Sequence, residues 1–169
     1  MDYLTKLNPE DPSSATKSTL GLSYEYPIKY YDFHVYYFAH NKKSLSESNF
    51  LRDKFLAEFT KEGKDGSVIV KKLPNDQIIG PHPTQFWEVD VCRPEIFIRV
   101  LSWFQLNHGS LSVLIHPQSG DDLLDHTNRA LWLGDKLPLF TDVFDPFPSG
   151  IAEYGVKGGR RLTPEEFES

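Results

Sequence analysis

The sequence predicts an α+β fold in which four strands and two helices follow one another in the order βαββαβ. Two observations support this order. Four short segments are rich in β-branched and aromatic residues or alternate between apolar and polar residues, which is typical of strands. Two longer segments repeat apolar residues every three or four positions, which is typical of amphipathic helices. The order is that of the ferredoxin-like fold, an antiparallel sheet with its helices on one face.

The first strand is predicted at 31–38 and the first helix at 44–59. The strand segment, YDFHVYYF, combines aromatic and β-branched residues. Three apolar residues repeat at every fourth position of the helix: Leu51, Phe55 and Phe59. Ser44 and Glu47 have the spacing of a capping box at the start of this helix. Gly63 is expected to stop the helical segment at its other end.

Three further strands are predicted: 67–73, 85–91 and 111–116. The turn residues at 74–76 separate the first two of them. The second helix is predicted between Pro94 and Gly109, because proline suits a first helical turn and glycine a helix end. Its apolar stripe contains five residues: Ile96, Phe97, Val100, Leu101 and Phe104.

Residues 28–148 are predicted to form a single folded domain. Residues 1–27 are rich in Ser, Thr, Pro, Asn and Asp without an apolar period, so we expect a flexible N-terminal arm. Near the end of the domain we expect a short helix over 121–133 and an extended stretch at 134–148. The Gly-rich, charged segment 149–169 is predicted to be a C-terminal tail.

The composition narrows the possible functions. The chain has 169 residues, a net charge of -6, six histidines and one cysteine. Its acidity argues against a nucleic-acid partner, and no apolar run approaches the roughly 18–20 residues of a membrane span. The polar, acidic start is unlike a secretory signal, so we expect a cytoplasmic protein. A single cysteine excludes a disulfide framework within one chain, and a bound metal would have imidazole and carboxylate ligands.

Strand alternation places polar side chains on the sheet face away from the helices. Six polar residues share this face: Asp32, His34, Glu88, Asp90, Ser112 and His116. Because the first and third strands should be central, with the fourth beside the first, His34, Glu88 and His116 could converge. Two imidazoles and one carboxylate form the ligand set of non-heme Fe(II) sites. A solvated sheet face that merely carries polar residues would give the same pattern.

The other histidines allow more than one interpretation. His82 lies between two prolines and could be a rigidly held ligand or base, or simply part of a turn. His126 could be a site residue whose ring is oriented by Asp125, or an ordinary histidine on a surface helix. His40 in a loop and His108 at a helix end are expected to have no functional role.

Several separated motifs together resemble those of one family. They are 32–37 (DFHVYY), 80–83 (GPHP) followed by 86–89 (FWEV), 111–117 (LSVLIHP), 125–127 (DHT) and 132–134 (WLG). Their order and sequence resemble the small fungal-type DOPA 4,5-dioxygenases and their bacterial relatives. The resemblance covers roughly 30–140. It departs at Asp32, where many members carry histidine.

This resemblance implies extradiol cleavage of L-DOPA or a similar catechol, with non-heme Fe(II) as cofactor and O₂ as co-substrate. It implies His34 and His116 as metal ligands. Glu88 is the natural carboxylate ligand, although His82 or His126 could replace it. Whichever of these two histidines is not a ligand is the candidate acid or base catalyst.

The resemblance also implies three substrate-binding candidates: Arg129, Asp32 and Tyr36. Arg129 could bind a substrate carboxylate through two hydrogen bonds, or it could pair with Asp125 or Glu88 instead. Asp32 points to the same face as the metal-ligand candidates, so it could also bind the metal or orient a ligand.

Two other functions remain open at this point. The first is a non-catalytic, homodimeric binding or scaffold protein that has kept the ferredoxin-like fold. A homodimer is expected because Tyr36, Phe38 and Phe86 lie on the open sheet face, unless a C-terminal segment covers them and leaves a monomer. The second is a zinc hydrolase-like site, which is weaker because no arrangement for activating water is apparent.

Overall fold

The computed structural model describes residues 26–144 and two short segments, 156–157 and 160–161. The predicted arm and tail therefore lie almost wholly outside the described residues, and the domain boundaries stay predictions. The two short segments pair as antiparallel strands, β6 (Val156–Lys157) and β7 (Arg160–Arg161).

The core of the fold is a five-stranded antiparallel sheet. Its strands are β1 (Tyr31–Tyr37), β2 (Val68–Lys72), β3 (Gln85–Val91), β4 (Val113–Pro117) and β5 (Leu131–Leu133). They lie in the order β2-β3-β1-β4-β5, so β1 and β3 are central and β4 flanks β1. This confirms the predicted α+β, ferredoxin-like sheet, to which β5 adds one strand at the edge.

In the described part of the chain, four helices accompany the sheet. They are α1 (Lys42–Glu58), α2 (Thr60–Asp65), α3 (Phe97–Asn107) and α4 (Asp122–His126). Short 3-10 turns occupy Pro74–Asp76, Pro94–Ile96 and Thr141–Phe144. Within the described ranges, no helix has the length and apolar character needed to cross a membrane.

The start of α1 differs from the predicted capping box. The side chain of Asn41 accepts hydrogen bonds from the backbone N–H groups of Lys43 and Ser44, so Asn41 is the N-cap. Glu47 instead accepts hydrogen bonds from the backbone N–H and the hydroxyl of Ser110. The carboxylate therefore ties α1 to the turn before β4.

Two other predictions about helix ends were wrong. Gly63 lies inside α2, and the helical segment ends at Gly66, whose φ of 77° suits glycine. The helix expected over 121–133 is limited to α4. Leu131, expected on that helix, instead pairs with Ile115 in the sheet.

One sheet face packs against α1 and α3, as strand alternation predicts. The fully buried residues of this core include Phe33, Val35, Trp87, Val89, Val113 and Ile115 from the strands. Phe55 of α1 and Phe104 of α3 stack with ring centroids 5.2 Å apart. Burial of these apolar side chains is the main stabilising contribution to the domain.

The opposite face is partly covered by the chain itself. Tyr36, Phe86 and Leu114 form a second buried cluster beneath residues of the 130–139 region. Phe38, by contrast, is 56% exposed. Two of the three aromatic residues behind the homodimer prediction are thus buried within one chain, and the homodimer stays a prediction.

Replacing Ser48 with alanine is expected to destabilise the protein by about 1–3 kcal/mol. The indole N–H of the fully buried Trp87 donates to the Ser48 hydroxyl at 3.1 Å, and this donor would lose its partner. Urea unfolding measures the change. Ser46→Ala is the control, since Ser46 is exposed on the same helix, and equal stability of the two variants would contradict the prediction.

Candidate active site

A cavity of about 320 Å³ lies on the sheet face opposite α1 and α3. Four histidines and several carboxylates line it, including His34, His82, His116, His126, Asp32 and Glu88. A cavity of this size can hold a small aromatic molecule. It contains the candidate metal-binding and catalytic residues that the sequence predicted.

Strand register brings four polar side chains of the sheet together. On β1, His34 lies opposite Glu88 of β3, and Asp32 lies opposite His116 of β4. Because alternate residues of a strand face the same side, all four side chains point away from the helices. The predicted convergence of His34, Glu88 and His116 is therefore present in the structure.

His82 and His126 reach the same cavity from outside the sheet. The His82 ring centroid lies 4.4 Å from that of His34, and the His126 centroid lies 4.0 Å from that of His116. His82 is 4% exposed and His126 is 5% exposed. Neither is an ordinary surface residue, and the functional roles of both stay predictions.

Backbone carbonyls determine which nitrogen carries the proton in two of the rings. Nδ1 of His116 lies 2.9 Å from the Pro117 carbonyl oxygen, and Nδ1 of His126 lies 2.8 Å from that of Asp122. A carbonyl oxygen can only accept, so each Nδ1 must donate. In the neutral rings, Nε2 of His116 and of His126 therefore carries a lone pair that can bind a metal or a proton.

His34 is oriented differently but offers the same nitrogen. Its Nδ1 lies 3.8 Å from a carboxylate oxygen of Glu88 and has no hydrogen bond among the described residues. Nε2 of His34 lies 2.9 Å from Nε2 of His116 and, because that nitrogen must accept, donates a hydrogen bond to it in the metal-free protein. Binding of one metal ion by both Nε2 atoms would move this proton to Nδ1 of His34, beside Glu88.

This 2.9 Å separation fits two ligands of one metal ion. Two nitrogens at right angles, each about 2.1 Å from an ion, are about 3.0 Å apart. Two sets of three residues that include histidines place ligand atoms within 4.8 Å of one another: Asp32, His34 and His116; and His34, His82 and His126. The donor set of imidazoles and carboxylate fits a non-heme iron.

Asp32 is 7% exposed, and its carboxylate is held by a side chain that the sequence analysis did not identify. The Gln118 amide nitrogen donates to the two Asp32 oxygens at 2.7 and 2.8 Å. Oδ2 of Asp32 lies 3.8 Å from Nε2 of His116. Asp32 is thus oriented next to the histidine pair, at the position where the chain departs from the family motif.

Lys71 is the second cavity residue that the sequence analysis missed. Its ammonium group lies 2.9 Å from a Glu88 oxygen and 2.7 Å from an Asp90 oxygen. Burial, a hydrogen bond with Glu88 and the charge of Asp32 raise the pKa of Asp90. Alternation along 67–73, with Lys71 paired to Glu88, would have placed it on this face.

Burial and the proximity of the other histidines favour the neutral form of His34 and His82. Burial lowers the pKa of His82 to about 3, with further contributions from His126 and His116. Burial also lowers the pKa of His34 well below its usual value, and the neighbouring rings add to this effect. Neutral imidazole is the form that binds metal ions, and both of these rings are in that form.

The structure places two of the predicted substrate-binding residues away from the cavity lining. Arg129 pairs with Asp125 at 3.1 Å and donates to the Ser119 hydroxyl, which matches the alternative of a structural ion pair. The Tyr36 hydroxyl lies 2.8 Å from Nδ1 of His82.

Two other predictions from the sequence concern the contact of Asp125 with His126 and the positions of His40 and His108. Nδ1 of His126 lies near the Asp122 carbonyl, while Asp125 accepts hydrogen bonds from the backbone and hydroxyl of Ser119. His40 and His108, expected to have no role, do not line the cavity.

The chain is similar to proteins of one family. The profile of the Dopa 4,5-dioxygenase family matches residues 31–143. A DOPA 4,5-dioxygenase of Amanita muscaria is 33% identical over 135 residues, which cover 76% of this chain and 57% of that protein. An uncharacterized 21.2 kDa protein of Botryotinia fuckeliana is 34% identical over 116 residues, which cover 64% and 60%. The chain thus spans less than two thirds of the length of these curated relatives.

A solved structure has the same fold. The crystal structure of a candidate dioxygenase from Nostoc punctiforme aligns with a TM-score of 0.58 and 32% sequence identity, covering 68% of this chain and 90% of that one. The family match covers the sheet and the histidine cavity, and it agrees with the resemblance seen in the motifs. The chain therefore belongs to the Dopa 4,5-dioxygenase family.

Proposed function

We propose that this protein is a non-heme Fe(II) dioxygenase that cleaves the ring of L-DOPA or a similar catechol in the extradiol manner, with O₂ as co-substrate. The main support is the convergence of four buried histidines and a carboxylate on one cavity, in a chain of the Dopa 4,5-dioxygenase family.

The proposed ligands are His34, His116 and Asp32, a set of two histidines and one carboxylate. The facing Nε2 atoms and the adjacent Asp32 oxygen support this set. Glu88, the carboxylate expected from the sequence, lies beside Nδ1 of His34 and is bonded to Lys71. Its proposed role is to orient the His34 ring, as carboxylates often do for metal-bound histidines.

Iron would supply a Lewis-acid centre at which the catechol oxygens and O₂ can be bound side by side. The other cavity residues would bind the substrate and move protons. His126 is the proposed base, because the lone pair on its Nε2 can accept a proton from a catechol hydroxyl. His82 is the proposed proton donor.

Lys71 replaces Arg129 as the proposed contact for a substrate carboxylate. Among the described residues that line the cavity, it is the only lysine or arginine, and its side chain is 46% exposed. Its partners Glu88 and Asp90 hold the ammonium group at the cavity, where it can also meet an anionic substrate group.

Oxygen consumption tests this proposal. Protein loaded anaerobically with Fe(II) is expected to consume O₂ when L-DOPA is added. The expected yellow product contains both atoms of the consumed O₂. The Zn(II)-loaded protein is the control, since zinc does not undergo redox chemistry. Absence of O₂ uptake with L-DOPA, dopamine and catechol would overturn the proposal and favour a non-catalytic binding protein.

A further inference from the structure

The histidines of the cavity do not all make the same kind of hydrogen bond. His116 and His126 each direct Nδ1 toward a backbone carbonyl oxygen, which can only accept. Nδ1 of His82 instead faces the hydroxyl group of Tyr36 at 2.8 Å. A hydroxyl group can donate as well as accept, so the proton arrangement of His82 depends on Tyr36.

The surroundings of Tyr36 decide the direction of this hydrogen bond. Its side chain is buried, with the ring stacked on Trp132 at 5.8 Å and edge-on to Phe86 at 6.3 Å. In the described part of the chain, Nδ1 of His82 is the one hydrogen-bond partner of its hydroxyl. A buried O–H group without an acceptor is unfavourable, so the hydroxyl donates and Nδ1 accepts.

We propose that Tyr36 is a positioning residue that fixes His82 as the tautomer with its proton on Nε2. His82 then offers an N–H donor to the cavity, whereas His116 and His126 offer lone pairs. This arrangement removes His82 from the alternative ligand set of His34, His82 and His126. A catalytic role for this N–H group rests on the proposed function.

Nitrogen chemical shifts test the tautomer directly. In ¹⁵N-histidine-labelled protein, metal-free and Zn(II)-loaded, long-range ¹H–¹⁵N spectra separate protonated from unprotonated ring nitrogens. Protonated Nε2 is expected for His82, and protonated Nδ1 for His116 and His126. Protonated Nδ1 on His82 would overturn the inference. Neither sample carries out O₂ chemistry, so this result is independent of whether the proposed dioxygenase activity exists.

The Tyr36→Phe variant tests the role of the hydroxyl. The His82 signals are expected to shift toward a mixture of tautomers, while Zn(II) affinity stays within about 3-fold. With Fe(II) and L-DOPA, kcat is expected to fall by the same factor as the fraction of the Nε2-protonated tautomer, with little change in KM.

Tyr37→Phe is the matched control. Tyr37 is the next residue on β1, it faces the helices, and its hydroxyl donates to Asp76 at 2.6 Å, away from the cavity. This variant should leave the His82 signals and kcat unchanged. Equal effects of the two substitutions, or an unchanged His82 tautomer in Tyr36→Phe, would overturn the inference. If Tyr36→Phe does not fold, the spectrum of the unmodified protein decides alone.

Discussion

Replacing His34 with alanine is expected to weaken metal binding more than about 100-fold and to abolish O₂ consumption. Loss of a residue that only orients a ligand typically costs about 10–100-fold in metal affinity or activity, and loss of a ligand should cost more. His34 belongs to both histidine-containing ligand sets, and its Nε2 lies 2.9 Å from that of His116. Calorimetric titration with Zn(II), and with Fe(II) under anaerobic conditions, measures the change.

His40→Ala provides the control for this experiment. His40 is an exposed histidine of the same strand-to-helix region and lies outside the cavity lining. The His40→Ala variant should bind one metal ion per chain with unchanged affinity. If His34→Ala also binds one ion with nearly unchanged affinity, the metal site proposed on this sheet face is wrong.

Asp32→Asn is expected to lower metal affinity by more than about 100-fold, and at least about 10-fold more than Glu88→Gln does. Both substitutions keep the shape of the side chain and remove its charge. Asp32 lies beside the facing Nε2 atoms, whereas Glu88 lies beside Nδ1 of His34 and bonds to Lys71. The same titrations, carried out on both variants, compare the two carboxylates directly.

The reverse order of effects would identify Glu88 as the ligand, as the sequence alone suggested. Circular dichroism is a necessary control here, because both carboxylates are largely buried and have hydrogen-bond partners. A Glu88→Gln protein that is folded but no longer binds metal would contradict the assignment of Asp32.

The sheet and its polar face could be predicted from the sequence by one geometric rule. Because side chains alternate along a strand, the positions of Asp32, His34 and His116 on one face could be predicted from 31–38 and 111–116. The strand order then fixed their proximity. The same rule, applied to 67–73, would have added Lys71 to the cavity.

Loop residues could not be placed in this way. His82 and His126 reach the cavity from a turn and from a five-residue helix, neither of which has a periodic pattern long enough to read. Strand β5 has three residues, which is too short to alternate visibly. The pairing of Asp125 with Arg129 has helical i, i+4 spacing, yet sequence alone could not separate it from a role in substrate binding.

The antiparallel pairing of β1 with β4 also has a consequence for folding. His34 and His116 are 82 residues apart in the chain, so their nitrogens meet only after both halves have docked. An ion bound between them would therefore favour the complete native sheet over any partly folded form. Bound metal should raise the free energy of global unfolding and slow hydrogen exchange across β1, β3 and β4 together.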